Sequence, residues 1–223
     1  MIEATEDFLQ TTRTSYDTIA GDYAARYPSG LVHPLDRSVV MAFAELARGS
    51  APVADVGSGP GYVTALLHEQ GVPAFGIDLS PAMVALAREA HPGLRFRTGS
   101  MTALDLPDGS LGGLLALYST IHVPDAHLPG VFAEFHRTLA PGAPVLLAFQ
   151  TSKPAEPLPR LHLAERFDHD IALDYYWRTP EQITSLLAEA GLALVATVRR
   201  EPSDEETRPR AFVLARKVQA RKA

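Results

Sequence analysis

The chain has 223 residues, 46% of them hydrophobic, a formal net charge of −6 and no cysteine. That length and apolar content suit one globular domain with a substantial core. The missing cysteine excludes disulfides, thiolate catalysis and thiolate metal sites, and the negative charge with scattered basic residues argues against a nucleic-acid backbone as main partner. The one basic cluster, Arg216, Lys217, Arg221 and Lys222, reads as a solvated end. The opening MIEATEDFLQ has no basic stretch leading into an apolar core, and no run reaches the roughly 18 apolar residues of a membrane span. A cytoplasmic setting is the expectation.

In chain order, residues 1–50 read as helical, with Leu35, Val39, Val40, Phe43 and Leu46 forming one stripe. PVADV (52–56) is a strand, followed at once by GSGPG. Val63, Leu66 and Leu67 then recur at helical spacing until Gly71. AFGID (74–78) is the second strand. Ser80-Pro81 is an N-cap with proline at the first helical position, and Met83, Leu86, Ala87 and Ala90 make the face of that helix. LRFRT (94–98) and the glycine-diluted LGGLLALY (111–118) follow as strands. A helix starting near Asp125 carries the stripe Leu128, Val131, Phe132, Phe135 and Leu139, and PVLLAF (144–149) is the fifth strand.

Residues 150–178 break the rhythm, being polar and proline-interrupted, then rich in histidine and aromatics (HLAERFDHDIALDYYW), as a functional loop or lid would be. Thr179-Pro180-Glu181-Gln182 has the capping-box pattern, Gly191 ends its helix, and LALVATVRR and RAFVLARK read as a closing strand pair. Apolar strands alternating with amphipathic helices imply an α/β fold with a doubly wound, Rossmann-like sheet of about seven strands. The last strand pair is expected antiparallel, and an N-terminal helical cap precedes the sheet.

The sharpest chemical signal is Asp55-Val56-Gly57-Ser58-Gly59-Pro60-Gly61 at the end of strand 1. Glycines there let the backbone turn tightly and approach a ligand closely. A dinucleotide fingerprint would place its third glycine at position 62, which is tyrosine, and a pyrophosphate would be repelled by the neighbouring carboxylate. A ligand carrying an ammonium group would welcome it. Asp78 ends strand 2, 21 residues after Gly57, where a carboxylate can accept both hydroxyls of an adenosyl ribose.

DVGSGPG, GIDLSPAMV, GSMTALDLPDGSLGGLLALYSTIHV and LAPGAPVLLAF together resemble the class I methyltransferases that use S-adenosylmethionine (SAM) and release S-adenosyl-L-homocysteine (SAH). More narrowly, they resemble the small-molecule branch containing quinone and natural-product methyltransferases. The resemblance implies Asp55 and the backbone of Gly57, Ser58, Gly59 and Gly61 at the methionine end of the cofactor. It implies Asp78 on the ribose, Leu79, Met83, Ser100 and Met101 about the adenine, and Leu117 and Tyr118 beneath the sulfonium. The stretch YDTIAGDYAARY (16–27) is similar to the branch's opening, in which aromatics close over SAM, Tyr16 first and Tyr23 next. His33 and Arg37 either meet the methionine carboxylate or are ordinary helix-start residues.

On this reading residues 1–223 form one methyltransferase domain: helical cap 1–50, SAM-binding core 51–149, candidate lid 150–178, closing helix and strands 179–223. The expected reaction is methyl transfer to a small-molecule acceptor, O-methylation slightly preferred over N- or C-methylation. His122, just past strand 4 on the carboxyl edge, is the candidate catalytic base. His33, His169, Tyr175 and Trp177 are candidate pocket residues. No metal is expected, because the spacing of His162, His169 and Asp170 matches no recognised ligand pattern. Tyr118-Ser119-Thr120-Ile121-His122 stands where an amine-polarising N-P-P-[YF] motif would be, which disfavours DNA and protein-glutamine acceptors. A SAM-binding regulatory module without turnover stays open, and so, with Asp55 and Tyr62 against it, does a nicotinamide-dependent oxidoreductase. Acceptor and oligomeric state are not legible.

Overall fold

A computed structural model describes residues 2–28, 30–49, 51–152, 160–203 and 206–219. Part of the candidate lid (153–159) and the tail's Arg221 and Lys222 lie outside the described residues. In chain order the elements are α1 (Ile2–Arg26), α2 (Pro34–Leu46), β1 (Val53–Val56), α3 (Tyr62–Glu69), β2 (Ala74–Asp78), α4 (Pro81–Ala90), β3 (Arg95–Thr98) and β4 (Gly113–Leu117). A 3₁₀ turn (Thr120–His122) precedes α5 (Leu128–Thr138), β5 (Pro144–Gln150), β6 (Arg160–Arg166), β7 (His169–Tyr176), α6 (Pro180–Glu189), β8 (Leu192–Arg200) and β9 (Arg210–Lys217).

The main sheet has seven strands in the order β3-β2-β1-β4-β5-β9-β8. Strands β1 to β5 are parallel, and β9 runs antiparallel to both β5 and β8. This is the doubly wound sheet expected from the sequence, with the closing pair antiparallel. Strand order reverses between β1 and β4, so their carboxyl ends splay apart and leave a crevice for a ligand. β1 and β4 are buried along their whole length because helices cover both faces. On one face Phe132, Phe135, Leu114 and Val145 are fully buried; on the other, Phe43, Leu67, Leu115 and Leu146. No helix among the described residues is long and apolar enough to cross a membrane.

Three expectations change. The segment read as an irregular lid contains an antiparallel hairpin, β6–β7, forming its own two-stranded sheet. Its turn lacks glycine: Phe167 and Asp168 both take positive φ, 53° and 62°, so the usual Asn-Gly signal is missing. Ile171, Leu173 and Tyr175 alternate inward on β7 and pack against the core. Second, the buried face of α2 is Asp36, Val40, Phe43 and Ala44, while Leu35 and Leu46 are exposed. The stripe is rotated because Asp36 turns inward to meet Arg200. Third, α5 starts at Leu128 rather than near Asp125, whose carboxylate instead binds Arg178.

Arg200 holds Asp36 through two parallel hydrogen bonds of 2.6 and 2.7 Å, and both side chains are only 6% exposed. Its other donors reach Glu206. This bidentate pair fastens α2 to the end of β8. Removing one partner strands a buried charge, at a cost of about 3–5 kcal/mol. Arg200→Met is therefore expected to lower unfolding stability by about that amount in urea titration, whereas Arg199→Met, whose exposed side chain has only a 3.9 Å contact with Glu201, changes it little. Equal effects from the two variants would exclude a clamp at Asp36.

Candidate active site

At the crevice beyond β1 and β4 lies a cavity holding about 750 Å³ of empty space, partly open to solvent. Its floor is the turn after β1. Gly57 donates its amide to the Ile77 carbonyl at 2.7 Å, with φ at 78°, and a Cβ there would overlap the Ser119 side chain. Only glycine satisfies both demands. Gly61, φ 88°, begins α3 against the Phe96 ring, 2.6 Å from where its Cβ would sit.

Asp78 faces the cavity from the end of β2. One carboxylate oxygen accepts the Gly59 amide at 2.8 Å and the other accepts the Ser80 amide at 2.9 Å. A carboxylate offers about four lone-pair sites, so two remain for a ligand's diol. Burial pushes its pKa up, and the backbone hydrogen bonds oppose that. Gly59, Leu79, Met83, Ser100 and Met101 line the same end of the cavity, and Leu117 and Tyr118 line it from β4. Tyr118 holds φ at 54°, an uncommon conformation for a bulky residue and one that clusters at functional sites.

From above, α1 closes the cavity with Phe8, Thr12, Tyr16 and Tyr23. The Tyr16 hydroxyl lies 2.8 Å from His122 Nε2, and His122 Nδ1 lies 2.8 Å from the Asp174 main-chain carbonyl. A carbonyl only accepts, so Nδ1 carries the proton and the neutral ring receives the Tyr16 O–H at Nε2. Burial pushes the His122 pKa down to about 4, keeping the ring neutral at physiological pH. Burial pushes the Tyr16 pKa well up and that of Tyr23 up to about 12, so both phenols stay protonated.

Other sequence candidates stand elsewhere. Asp55 does not line the cavity: it is 2% exposed, and its carboxylate accepts the Thr64 hydroxyl at 2.7 Å. The floor turn of Gly57 and Ser58 lies between it and the cavity, and the Ser58 hydroxyl is buried without a partner. His33 caps α2, its Nδ1 accepting the Leu35 amide, and Arg37 is exposed on the same helix. His169 points away from the cavity and meets Asp22 of α1 at 3.0 Å. Tyr175 packs behind His122, ring centroids 4.7 Å apart. Trp177 sits outside the cavity beneath the Arg208 guanidinium, 3.1 Å from its ring centroid. His162 pairs with Asp174, so His162, His169 and Asp170 do not converge.

Sequence reasoning missed Phe8 and Thr12, although residues 8, 12, 16 and 23 fall on one helical face and the signal was readable. It also missed Arg178, which is buried and donates to Asp125, Thr120 O and Val123 O, fixing the loop that carries His122. That residue becomes visible only once β7 is placed beside the 3₁₀ turn.

Comparison with known proteins agrees with this geometry. Residues 53–142 match the family model described as a methyltransferase domain. An uncharacterised methyltransferase of a Mycobacterium strain is 32% identical over 105 residues, 47% of this chain and 41% of the relative. A demethylmenaquinone methyltransferase of Chlorobaculum parvum is 33% identical over 91 residues, 40% of this chain and 37% of the relative. The matched segments thus span about two fifths of those relatives' length. In fold, the chain is similar to a Burkholderia thailandensis 1,6-didemethyltoxoflavin-N1-methyltransferase solved with 1,6-didemethyltoxoflavin and SAH. That likeness has a TM-score of 0.74 at 22% identity and covers 96% of this chain and 90% of that one.

The burial of Asp55 has a measurable consequence. Its pKa is pushed up to about 6, so the folded state holds this proton more tightly than the unfolded chain. The stabilisation is present below the unfolded value near 3.9 and is lost as pH rises through about 6. Above that, the ionised group costs the fold on the order of 2–3 kcal/mol. Asp55→Asn keeps an oxygen for Thr64 and should be more stable than wild type by roughly 1–3 kcal/mol at about pH 8, with little difference below about pH 4. Urea unfolding at the two pH values measures this, and a variant less stable at about pH 8 contradicts it.

Proposed function

We propose that the chain is a class I SAM-dependent methyltransferase that transfers the methyl group of SAM to a small-molecule acceptor, preferentially at oxygen. The observation that carries this reading is one cavity lined by both the Asp78 carboxylate and the Tyr16–His122 pair. Gly57 and Gly59 of the turn line the cavity with bare backbone, and Asp78 keeps free lone pairs beside them. Both features fit an adenosyl group. Asp78 would hold the ribose hydroxyls, Leu79, Met83, Ser100 and Met101 would wall the adenine, and Leu117 and Tyr118 would face the sulfonium. When bound, SAM supplies an electrophilic methyl group, so the intrinsic reactivity is the cofactor's.

The protein's share is alignment, water exclusion and proton management. Alignment of nucleophile and electrophile is worth about 7–11 kcal/mol of barrier. Phe8, Thr12, Tyr16 and Tyr23 roof the cavity and keep water from the reacting centre. His122 is neutral with Nε2 as acceptor, so a hydroxyl seated against Tyr16 can pass its proton to the phenol oxygen while the Tyr16 proton moves to Nε2. Asp174 O holds the ring in the required tautomer throughout. A hydroxyl acceptor that arrives protonated needs this path, and its presence on the cavity wall supports O-methylation.

Calorimetry tests the cofactor assignment. SAM and SAH are expected to bind at micromolar strength with no competition from NAD. Asp78→Ala should weaken SAH by about 1.5–3 kcal/mol through lost charge-assisted hydrogen bonds. Unchanged affinity in a folded variant removes Asp78 from the site. Nitrogen-15 NMR at about pH 6 tests the histidine: the ring should be neutral and protonated at Nδ1, with the midpoint of its titration near pH 4. An imidazolium signal at pH 6 contradicts the assignment.

A further inference from the structure

Arg166 ends β6 immediately before the Phe167–Asp168 turn, and its surroundings are unusual for a cation. Its guanidinium lies over the rings of Phe167, Tyr23 and Tyr27, at 5.0, 5.6 and 5.9 Å from their centroids. Both of its hydrogen bonds go to phenols, Tyr175 at 2.8 Å and Tyr27 at 3.1 Å. Among the described residues no carboxylate pairs with it. The buried arginines Arg200 and Arg178 each have one: Asp36 and Glu206 for Arg200, Asp125 for Arg178. A half-buried charge without a counter-ion is costly unless a ligand supplies one.

Tyr23 connects this charge to the cavity. It lines the cavity wall, and among the described residues its hydroxyl has no hydrogen-bond partner. A cation stacked behind its ring withdraws electron density and makes the O–H a stronger donor. Tyr16 stands beside it, ring centroids 6.0 Å apart, with its own proton committed to His122. Other charged or titratable groups near this end are accounted for. Asp22 of α1 is bound by His169, Asp174 of β7 by Arg160 and His162, and Asp78, whose charge is felt at Tyr16 and Tyr23, by the Gly59 and Ser80 amides.

We propose that the acceptor is an acidic oxygen compound, a carboxylate or an ionised phenol or enol, whose oxyanion accepts the Tyr23 hydroxyl with Arg166 behind it as counter-charge. The inference rests on the methyltransferase reading and narrows its substrate class. A neutral alcohol would leave Arg166 uncompensated and would oblige His122 to become a second cation in the same pocket. Burial and the Arg166 charge both oppose that change at His122, which makes it a weak base suited only to an acidic hydroxyl. An acceptor that arrives ionised needs no proton uptake, and its charge favours attack on a sulfonium.

The test uses 4-nitrophenol as probe with the full chain, at a pH where the free probe is mainly the neutral phenol. Bound probe should show the phenolate absorption band. Arg166→Met should cut the bound phenolate-to-phenol ratio by at least about tenfold, Tyr23→Phe should lower it, and Arg166→Lys should keep most of it. SAH binding by each variant, read by calorimetry, shows that the fold is intact. Spectra taken with and without SAH separate the two readings, since loss of SAH binding alone leaves the probe's ionisation readable. A bound neutral phenol, an unchanged ratio in Arg166→Met, or no probe binding by a protein that binds SAH each overturns the proposal.

Discussion

The carboxylate of Asp78 fastens together the pieces from which the site is built. Its two oxygens hold the amides of Gly59 and Ser80, joining the turn after β1 to the start of α4. Ser80 in turn caps α4 through Met83 and gives its hydroxyl proton to Asp17, whose carboxylate also takes the Ala82 amide. One hydrogen-bonded chain therefore runs from the glycine turn through β2 and α4 to α1. The helix that roofs the cavity is tethered to the strand that floors it. Because these bonds use backbone amides at a helix N-terminus, they are charge-assisted and oriented by the helix dipole. Without Asp78 the floor turn would lose its anchor at Gly59 as well as its ligand contact.

That arrangement brings the carboxylates of Asp17 and Asp55 near Asp78, the one of the three that lines the cavity. Asp78 raises the pKa of Asp55, and Asp17 raises that of Asp78, so the negative charges are felt mutually in a region of low polarity. Three buried or half-buried carboxylates are an unfavourable grouping unless something positive shares the space. A ligand with an ammonium and a sulfonium meets that condition. Behind Tyr23, Arg166 carries a positive charge among phenols.

Much of this was legible in the sequence because it rests on local rules. Glycine at a positive-φ turn, an acidic residue ending β2, the proline N-caps of α4 and α6 and the apolar strands of a covered parallel sheet are set by neighbours within a few residues. Tyr16, Tyr23, Asp78, Leu79, Met83, Ser100, Met101, Leu117, Tyr118 and His122 do meet around one cavity. What escaped depends on long-range contact. The β6–β7 hairpin turns on Phe167 and Asp168 without glycine, because contacts with α1 hold it: Ala172 N donates to the Ser15 hydroxyl and His169 meets Asp22. Asp55 is buried beside Thr64 rather than exposed to ligand, a distinction of direction that spacing cannot express. Arg166 and Arg178 lie in a segment whose irregular composition hid a strand pair.

The hairpin's placement explains why the histidine is usable at all. His122 sits on a short 3₁₀ turn after β4, an element with little intrinsic rigidity. Its position is over-determined by partners from β7 and the residue following it: the Asp174 carbonyl fixes Nδ1, the Tyr175 ring packs on the imidazole, and Arg178 draws the carbonyls of Thr120 and Val123 toward one guanidinium. These contacts leave Nε2 as the one acceptor on the ring and aim it at α1, where Tyr16 answers it. The hairpin thereby couples both halves of the site, since Arg166 on β6 and Asp174 on β7 are brought together by the same two-residue turn. Moving that hairpin away from α1 would separate Arg166 from Tyr27 and loosen Asp174 from His122 in one motion, so charge at the acceptor end and tautomer at the histidine are controlled by a single structural element.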